Sequence, residues 1–349
     1  MTGWEAGDEP LFAETLAPFL DGKRLLVTGG TGFFGQWLLR TLFAMIRRFD
    51  LRLAITLLTR SPARLYRELP DIVGHPAVSI WAGDVRSFAF PDGPFPCVIH
   101  AAATASAELN ATAPLEMFDT IVAGTRRVLE LCRQAGTRRM LFVSSGVVYG
   151  RQPSEIPHIS EDYTGGPDPL APGNAYGEGK RAAEFLCTAC AGAGGLEIPV
   201  ARPFAFLGPG LPLHRHFAAG NFLADALAGR PIAVTGDGTP YRSYMYPTDL
   251  IAWLLAILAR GESCRAYNVG SDEAVTIGEL ALRIGAAAGG LPVTIARLPD
   301  PGRPPARYVP AIDRAREELG LSLHVGLSEA ISRTLTSLRG QMDTAVCRW

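Results

Sequence analysis

Lys23-Arg24-Leu25-Leu26-Val27-Thr28-Gly29-Gly30-Thr31-Gly32-Phe33-Phe34-Gly35 decides the fold. Leu25, Leu26 and Val27 form the core of a short apolar run, the pattern of a buried parallel strand. Glycines end it, and Gln36-Trp37-Leu38-Leu39-Arg40-Thr41-Leu42-Phe43 then has the pattern of a helix. Strand, glycine turn and helix together make the geometry that holds a dinucleotide pyrophosphate. Gly29, Gly32 and Gly35 are spaced G-x-x-G-x-x-G. The first allows the tight turn, and the second lets backbone N–H groups approach the phosphates. The third lets helix and strand pack closely, with the anion at the positive helix end. Thr31, Phe33 and Phe34 share this turn and are assigned to the cofactor with the glycines.

Working outward, Leu51–Leu58 reads as a second strand, followed by Thr59-Arg60-Ser61. An acid after this strand binds the adenosine 2′-hydroxyl, whereas a base accommodates a 2′-phosphate. With Arg60 and no acid, the expected cofactor is NAD(P), leaning to NADP. An arginine stacked on adenine would fit either form. Val78–Trp81 and Gly83-Asp84-Val85-Arg86 read as a third strand with its terminal acid. Asp84 is a candidate for the adenine amino group, with Val85 beside it, or else forms an Asx-turn. Cys97–Ala103 reads as a fourth strand whose small end, Ala101-Ala102-Ala103, lets a cofactor lie against the backbone. His100, inside that apolar run, reads as a satisfied core histidine.

Pro114–Arg133 has helical periodicity, Met140–Ser145 reads as a fifth strand, and residues 152–172 form a proline-rich loop. Asn174-Ala175-Tyr176-Gly177-Glu178-Gly179-Lys180 opens a helix running through Ala191. This alternation predicts an α/β fold built on a Rossmann-type, doubly wound parallel sheet.

Tyr176 and Lys180 stand four apart at a helix start, so they project from one face. A phenol with a reference pKa of about 10 is a poor base at neutral pH. A nearby ammonium and a pyridinium favour the phenolate. Ser145, at a neighbouring strand end, can hydrogen-bond the same substrate oxygen. Ser145, Tyr176 and Lys180 are therefore the candidate catalytic residues. They could remove a proton from a sugar hydroxyl as hydride leaves its carbon for the nicotinamide. Lys180 can also reach the nicotinamide ribose, so Tyr176 and Lys180 count among the cofactor contacts.

Composition narrows the remaining classes. A chain of 349 residues with a formal net charge of −1 can build a substantial core, but it shows no basic footprint for nucleic acid or an anionic membrane. The start of the chain lacks the pattern of an export signal, and the apolar run Leu250–Leu258 is too short to span a bilayer. A cytoplasmic location is the expectation. Cys187-Thr188-Ala189-Cys190 matches C-x-x-C but has no second ligand pair at metal spacing, so it reads as a reduced helix pair and no metal is expected.

The assembled motifs resemble the extended short-chain dehydrogenase/reductase family, in its nucleotide-sugar epimerase/dehydratase branch, over roughly residues 22–335. Ser144-Ser145-Gly146-Val147-Val148-Tyr149-Gly150 resembles the S-S-x-x-V-Y-G element. Ala201-Arg202-Pro203-Phe204-Ala205-Phe206-Leu207-Gly208-Pro209-Gly210 is similar to R-P-F-N-V-Y-G-P-G, and its Pro203 is assigned to the cofactor. Gly236-Asp237-Gly238-Thr239-Pro240-Tyr241-Arg242-Ser243-Tyr244 and Tyr267-Asn268-Val269-Gly270 match further elements. The resemblance implies an N-terminal extension at 1–20, a Rossmann domain at 21–203 and a smaller substrate-binding lobe at 204–349. Segments around 241–270 are expected to return to the Rossmann part. It also implies a nucleotide-diphosphate sugar as substrate. Asn221, Arg242 and an arginine from Arg303 or Arg307, with Arg307 preferred, would bind the diphosphate. The helices at 114–133 and 175–191 would pair in a homodimer.

The chain also departs from that pattern. Sugar dehydratases of the family carry Asp-Glu after the catalytic Ser/Thr, and its decarboxylases carry Glu two residues after it. Here these positions are Gly146 and Val147, which move no protons. Glu161, Asp162 and Glu108 are the alternative acids. Ala205 and Ile121 replace two family asparagines, while His214 and His216 read as loop surface. The leading expectation is an epimerase acting through a transient keto-sugar. The alternatives are a reductase of nucleotide keto-sugars, a dehydratase whose acid lies elsewhere, and a non-catalytic NADP sensor.

Overall fold

The computed structural model describes residues 13–103, 107–213 and 217–346. Its strands are β1 (Arg24–Thr28), β2 (Ala54–Thr59), β3 (Val78–Ala82), β4 (Cys97–His100), β5 (Arg139–Val143), β6 (Val200–Pro203), β7 (Ile232–Val234), β8 (Tyr241–Arg242), β9 (Ala266–Val269), β10 (Val275–Thr276), β11 (Val293–Ile295) and β12 (Arg307–Tyr308). Seven of them form one sheet in the order β3-β2-β1-β4-β5-β6-β9, with every neighbouring pair parallel. The order reverses between β1 and β4, which opens a crevice beyond their carboxyl ends.

Period-two alternation fills both faces of this sheet. Leu25 and Val27 of β1, Cys97 and Ile99 of β4, and Leu141 and Val143 of β5 enter one core with the helices Phe33–Phe49 and Pro247–Arg260. Leu26, Val98, Met140 and Phe142 enter the opposite core with the helices Pro114–Gln134 and Ala175–Cys190. The fold is thus a doubly wound α/β sheet. The helix Ala13–Leu20 buries Ala13, Leu16, Ala17 and Leu20 in the first core.

Two smaller sheets follow β6. One has the order β10-β8-β12, and the other pairs β11 with β7. The helix Pro247–Arg260 and strand β9 bring the chain back to the large sheet between them.

Several element bounds differ from the sequence expectation. The first sheet-covering helix begins at Phe33, directly on the glycine turn, and runs to Phe49. Strand β2 starts at Ala54, and β4 and β5 end at His100 and Val143, so Ala101–Ala103 and Ser144–Ser145 lie just past the strand ends. Residues 83–86 turn rather than extend, because Ser87 and Phe88 N–H both donate to the Asp84 carbonyl. Among the described residues no helix is long and apolar enough to cross a membrane. His214, His216 and Cys347 lie outside the described residues.

Candidate active site

The glycine turn is shaped by contacts on two sides and by space on a third. Gly29 has φ +82°, and a β-carbon there would lie 2.6 Å from the Ala101 carbonyl oxygen and 2.9 Å from Ala102 N. Only glycine combines that dihedral with so close an approach of β4. A β-carbon on Gly35 would overlap the Gly29 carbonyl oxygen and the Gly30 backbone, which is the helix–strand contact expected of the third glycine. Gly32 differs, since the nearest protein atom to its added β-carbon is 3.5 Å away. Gly32 is exposed. Gly32 caps the helix, and the first intrahelical bond runs from Gln36 N to Gly32 O at 3.0 Å. The N–H groups of Phe33, Phe34 and Gly35 thus lie in the orphan first turn that suits an anion. Thr31 is partly buried beside them. These features fit a dinucleotide pyrophosphate.

A buried histidine fixes the neighbouring strand end. Thr28 Oγ1 and His100 Nδ1 are 2.8 Å apart, and His100 Nε2 lies 3.1 Å from Thr125 Oγ1. The Thr125 hydroxyl already donates to the Ile121 carbonyl, so Nε2–H is the donor to Thr125 and Nδ1 accepts from Thr28. Thr28 Oγ1 in turn accepts from Ala102 N–H at 3.0 Å. Burial brings His100 down to about 3, leaving it neutral. It is the satisfied core histidine expected, and it holds Ala101–Ala103 against the glycine turn.

At the adenosine end Asp84 forms the Asx-turn, accepting from Arg86 N–H at 2.9 Å. Arg86 also grips both carboxylate oxygens, at 2.9 and 3.0 Å, and holds Asp84 below the usual carboxylate range. Arg60 stands 3.9 Å from the same carboxylate and is exposed. Two guanidinium groups therefore flank Asp84. The position just after β2 points only to Arg60; Arg86 joins it because the turn at 84–86 folds its side chain back onto Asp84. Val85 is buried against Gly124, where an added β-carbon would lie 2.8 Å from a Val85 methyl.

Tyr176 and Lys180 lie on one face of the helix Ala175–Cys190, with Ser145 of the neighbouring strand end close by. Lys180 is 2% exposed and donates to the Val143 carbonyl at 2.7 Å, with its ammonium 5.9 Å from the centre of the Tyr176 ring. Burial brings it down to about 8, against the opposing field of Glu184. Tyr176 is pushed up to about 12 by burial, partly offset by the nearby Ser145 hydroxyl. Its helix start is tied from outside, as Tyr176 N–H donates to Asn110 Oδ1 at 3.0 Å.

Tyr308 joins the cluster, and no sequence motif pointed to it. Burial raises its hydroxyl well above the ordinary phenol range, partly offset by the nearby Ser145 hydroxyl. Its ring lies 4.6 Å from that of Phe204. A β-carbon on Gly146 would lie 2.7 Å from the Tyr308 hydroxyl and 2.8 Å from the Phe204 ring. The place that an acidic side chain at position 146 would need is filled by a phenol. Glu161 accepts from Asn268 N–H at 2.8 Å and stands 4.0 Å from Arg314, which also pairs with exposed Asp162 at 2.5 Å. Glu108 is exposed on the helix Ala107–Thr112.

The expected diphosphate residues do not all share one face. β8 and β12 pair in parallel register, Tyr241 with Arg307 and Arg242 with Tyr308. Arg307 stacks on the Tyr241 ring at 4.0 Å, whereas the charge of Arg242 reaches Tyr308. Arg242 and Arg307 thus point to opposite faces of the pair. Arg303 is exposed, with its charge felt at Asp237. Asn221, on the helix Ala218–Leu227, lines a cavity of about 220 Å³ with Phe222, Val234, Gly236, Asp237 and Gly238. Pro203 ends β6 and is buried.

Residues 25–270 match the NAD dependent epimerase/dehydratase family. The chain is 30% identical over 325 residues to UDP-glucuronic acid decarboxylase 1 of Xenopus tropicalis, covering 93% of this chain and 74% of that one. It is similar to the solved UDP-glucose 4-epimerase of Thermus thermophilus in complex with NAD, at 27% identity and TM-score 0.73, covering 91% and 99% of the two chains. An epimerase of Methanothermobacter thermautotrophicus shares the fold at TM-score 0.77 and 22% identity, covering 96% and 97%.

Proposed function

The chain belongs to the NAD dependent epimerase/dehydratase family, and from that premise we propose that it is a nucleotide-sugar epimerase working through a transient keto-sugar. The observation that carries this reading is the placement of Ser145 close to Tyr176, with a buried Lys180 one helical turn on and the glycine turn in the same crevice. Gly29, Thr31, Gly32, Phe33, Phe34, Gly35, Ala101–Ala103, Val85 and Pro203 would hold NAD(P), which when bound would supply a hydride acceptor and a positive charge. Lys180 adds its ammonium, and together these charges favour the phenolate of Tyr176. Tyr176 then takes the proton of a sugar hydroxyl while Ser145 orients that oxygen. Tyr308 has no lysine counterpart and keeps its proton, so it serves as a hydrogen-bond donor toward the sugar.

Residues 204–349 form most of the substrate lobe, into which residues 21–203 present the cofactor. Arg242, on the Tyr308 face of β8, is the diphosphate arginine best placed toward the chemistry. Arg303, rather than the stacked Arg307, is its better partner. The cavity beside Asn221 takes the nucleoside. Arg60 and Arg86 form a basic fork suited to a 2′-phosphate, which supports NADP over NAD. Exposed Leu115 and Phe185, on the mutually packed helices Pro114–Gln134 and Ala175–Cys190, suit a homodimer. The free thiols of Cys97, Cys132, Cys187, Cys190 and Cys264 suit a reducing, cytoplasmic compartment.

A second reading, decarboxylation of a nucleotide-linked uronic acid, is favoured by the names of the sequence relatives. Gly146 and Val147, with Tyr308 and Phe204 filling the adjoining space, favour epimerisation instead. Purified protein given NAD or NADP and a panel of UDP-, dTDP-, GDP- and CDP-sugars, including uronic acids and 4-keto sugars, tests both. A product of unchanged mass without net cofactor turnover supports epimerisation. Release of carbon dioxide establishes the second reading, stoichiometric consumption of reduced cofactor a reductase, and loss of water a dehydratase. Cofactor binding with no turnover of any sugar would point to a sensor.

A further inference from the structure

Glu184 lies on the same helix as Tyr176 and Lys180, two turns and one turn further on, so the three share a face. Its carboxylate holds two strand ends at once. Oε1 accepts from Ser144 Oγ at 2.5 Å and from Arg202 Nε at 3.0 Å, and Oε2 accepts from Arg202 Nη2 at 2.7 Å. Ser144 directly precedes Ser145, and Arg202 directly precedes Pro203. Arg202 continues inward, donating to the Tyr149 hydroxyl at 2.9 Å, which donates to Asn268 Oδ1 at 2.7 Å. Tyr149 and Asn268 are buried, and the side chains of Glu184 and Arg202 are only 16% and 15% exposed.

Resting on the epimerase-type site above, we propose that Glu184 is a positioning residue: by gripping Ser144 and Arg202 from the helix that bears Tyr176 and Lys180, it fixes Ser145 relative to that pair. The same carboxylate lies one helical turn from Lys180, and its charge favours the ammonium. His100 of β4 is neutral there, Cys187 on the same helix is pushed up by burial and stays a thiol, and Tyr176 carries its proton. Phe142 and Val143 of β5 offer a ring and a carbonyl, and Arg202 of β6 lies behind Glu184. Glu184 is thus the anion that supports the charged form of Lys180.

The sequence contains two lysines, Lys23 and Lys180, which permits a direct readout. In protein labelled with ¹³C-lysine, a pH titration followed by NMR resolves Lys180 without any sugar substrate, its signal being assigned by its loss in Lys180→Met. In Glu184→Gln, Lys180 is expected to titrate at lower pH than in the wild type. NAD affinity should be retained, and kcat at neutral pH should fall by up to about 100-fold with KM little changed, the scale of a misplaced reacting group. Should Glu184→Gln fail to fold, Ser144→Ala cuts one tie without leaving Arg202 unpaired, and kcat is expected to fall about tenfold for a loss near 1.4 kcal/mol. The proposal is overturned if Lys180 titrates as in the wild type in Glu184→Gln, or if Ser144→Ala keeps wild-type kcat. The lysine titration stands even if the wild type turns over no nucleotide sugar, so the two failures are distinguishable.

Discussion

Gly146 lies directly against Tyr308: a β-carbon at position 146 would lie 2.7 Å from the Tyr308 hydroxyl. The missing acid and the extra phenol are therefore one structural fact. Gly146→Ala is expected to destabilise the protein by about 1–3 kcal/mol through overpacking. Combining it with Tyr308→Phe should recover part of that loss, because one of the two contacts disappears. Thermal unfolding of the single and double variants measures the coupling, and strict additivity would count against it.

Lys180 gives stability a pH dependence of known sign. Its folded value of about 8 lies below the ordinary 10.5, so the unfolded chain binds that proton more tightly. Stability should therefore rise between about pH 8 and 10.5, by at most about 3 kcal/mol from this group. Tyr176 acts oppositely above pH 10, being raised to about 12 in the fold. Chemical denaturation of wild type and Lys180→Met across this window isolates the lysine. The rise should be absent in the variant, and equal slopes would refute the assignment.

The basic fork around Asp84 makes the cofactor preference testable. Arg60→Ala should weaken NADP binding about tenfold, the scale of one lost charge-assisted contact to a phosphate, and change NAD binding less. Calorimetric titration with both cofactors decides. Equal losses for the two would leave Arg60 as an adenine-stacking group.

Phe185 is 71% exposed on the helix that bears Tyr176 and Lys180. Placing a charge there by Phe185→Glu should shift sedimentation from dimer to monomer if this helix pair forms the interface. An unchanged sedimentation coefficient would place any interface elsewhere.

Local spacing made much of this legible. The glycine turn and Tyr176–Lys180 are set by residues three or four apart, so their geometry follows from one strand–helix unit and one helix face. His100 was legible as core from the apolar residues around it. Contacts between distant segments were not. Tyr308 reaches Ser145 only because β12 pairs with β8, and a two-residue strand leaves no periodic signal. Arg86 returns to Asp84 through a turn in a segment whose pattern suggests extended chain, and the opposite facing of Arg242 and Arg307 depends on a register that spacing cannot show.

The most direct measurement is the turnover of Tyr176→Phe on whichever nucleotide sugar the wild type converts, with circular dichroism showing both proteins folded. A phenol acting as the base predicts a fall in kcat of about 10²–10⁴ with cofactor affinity retained. Turnover equal to the wild type would contradict the proposed role of Tyr176 and the chemistry built on it.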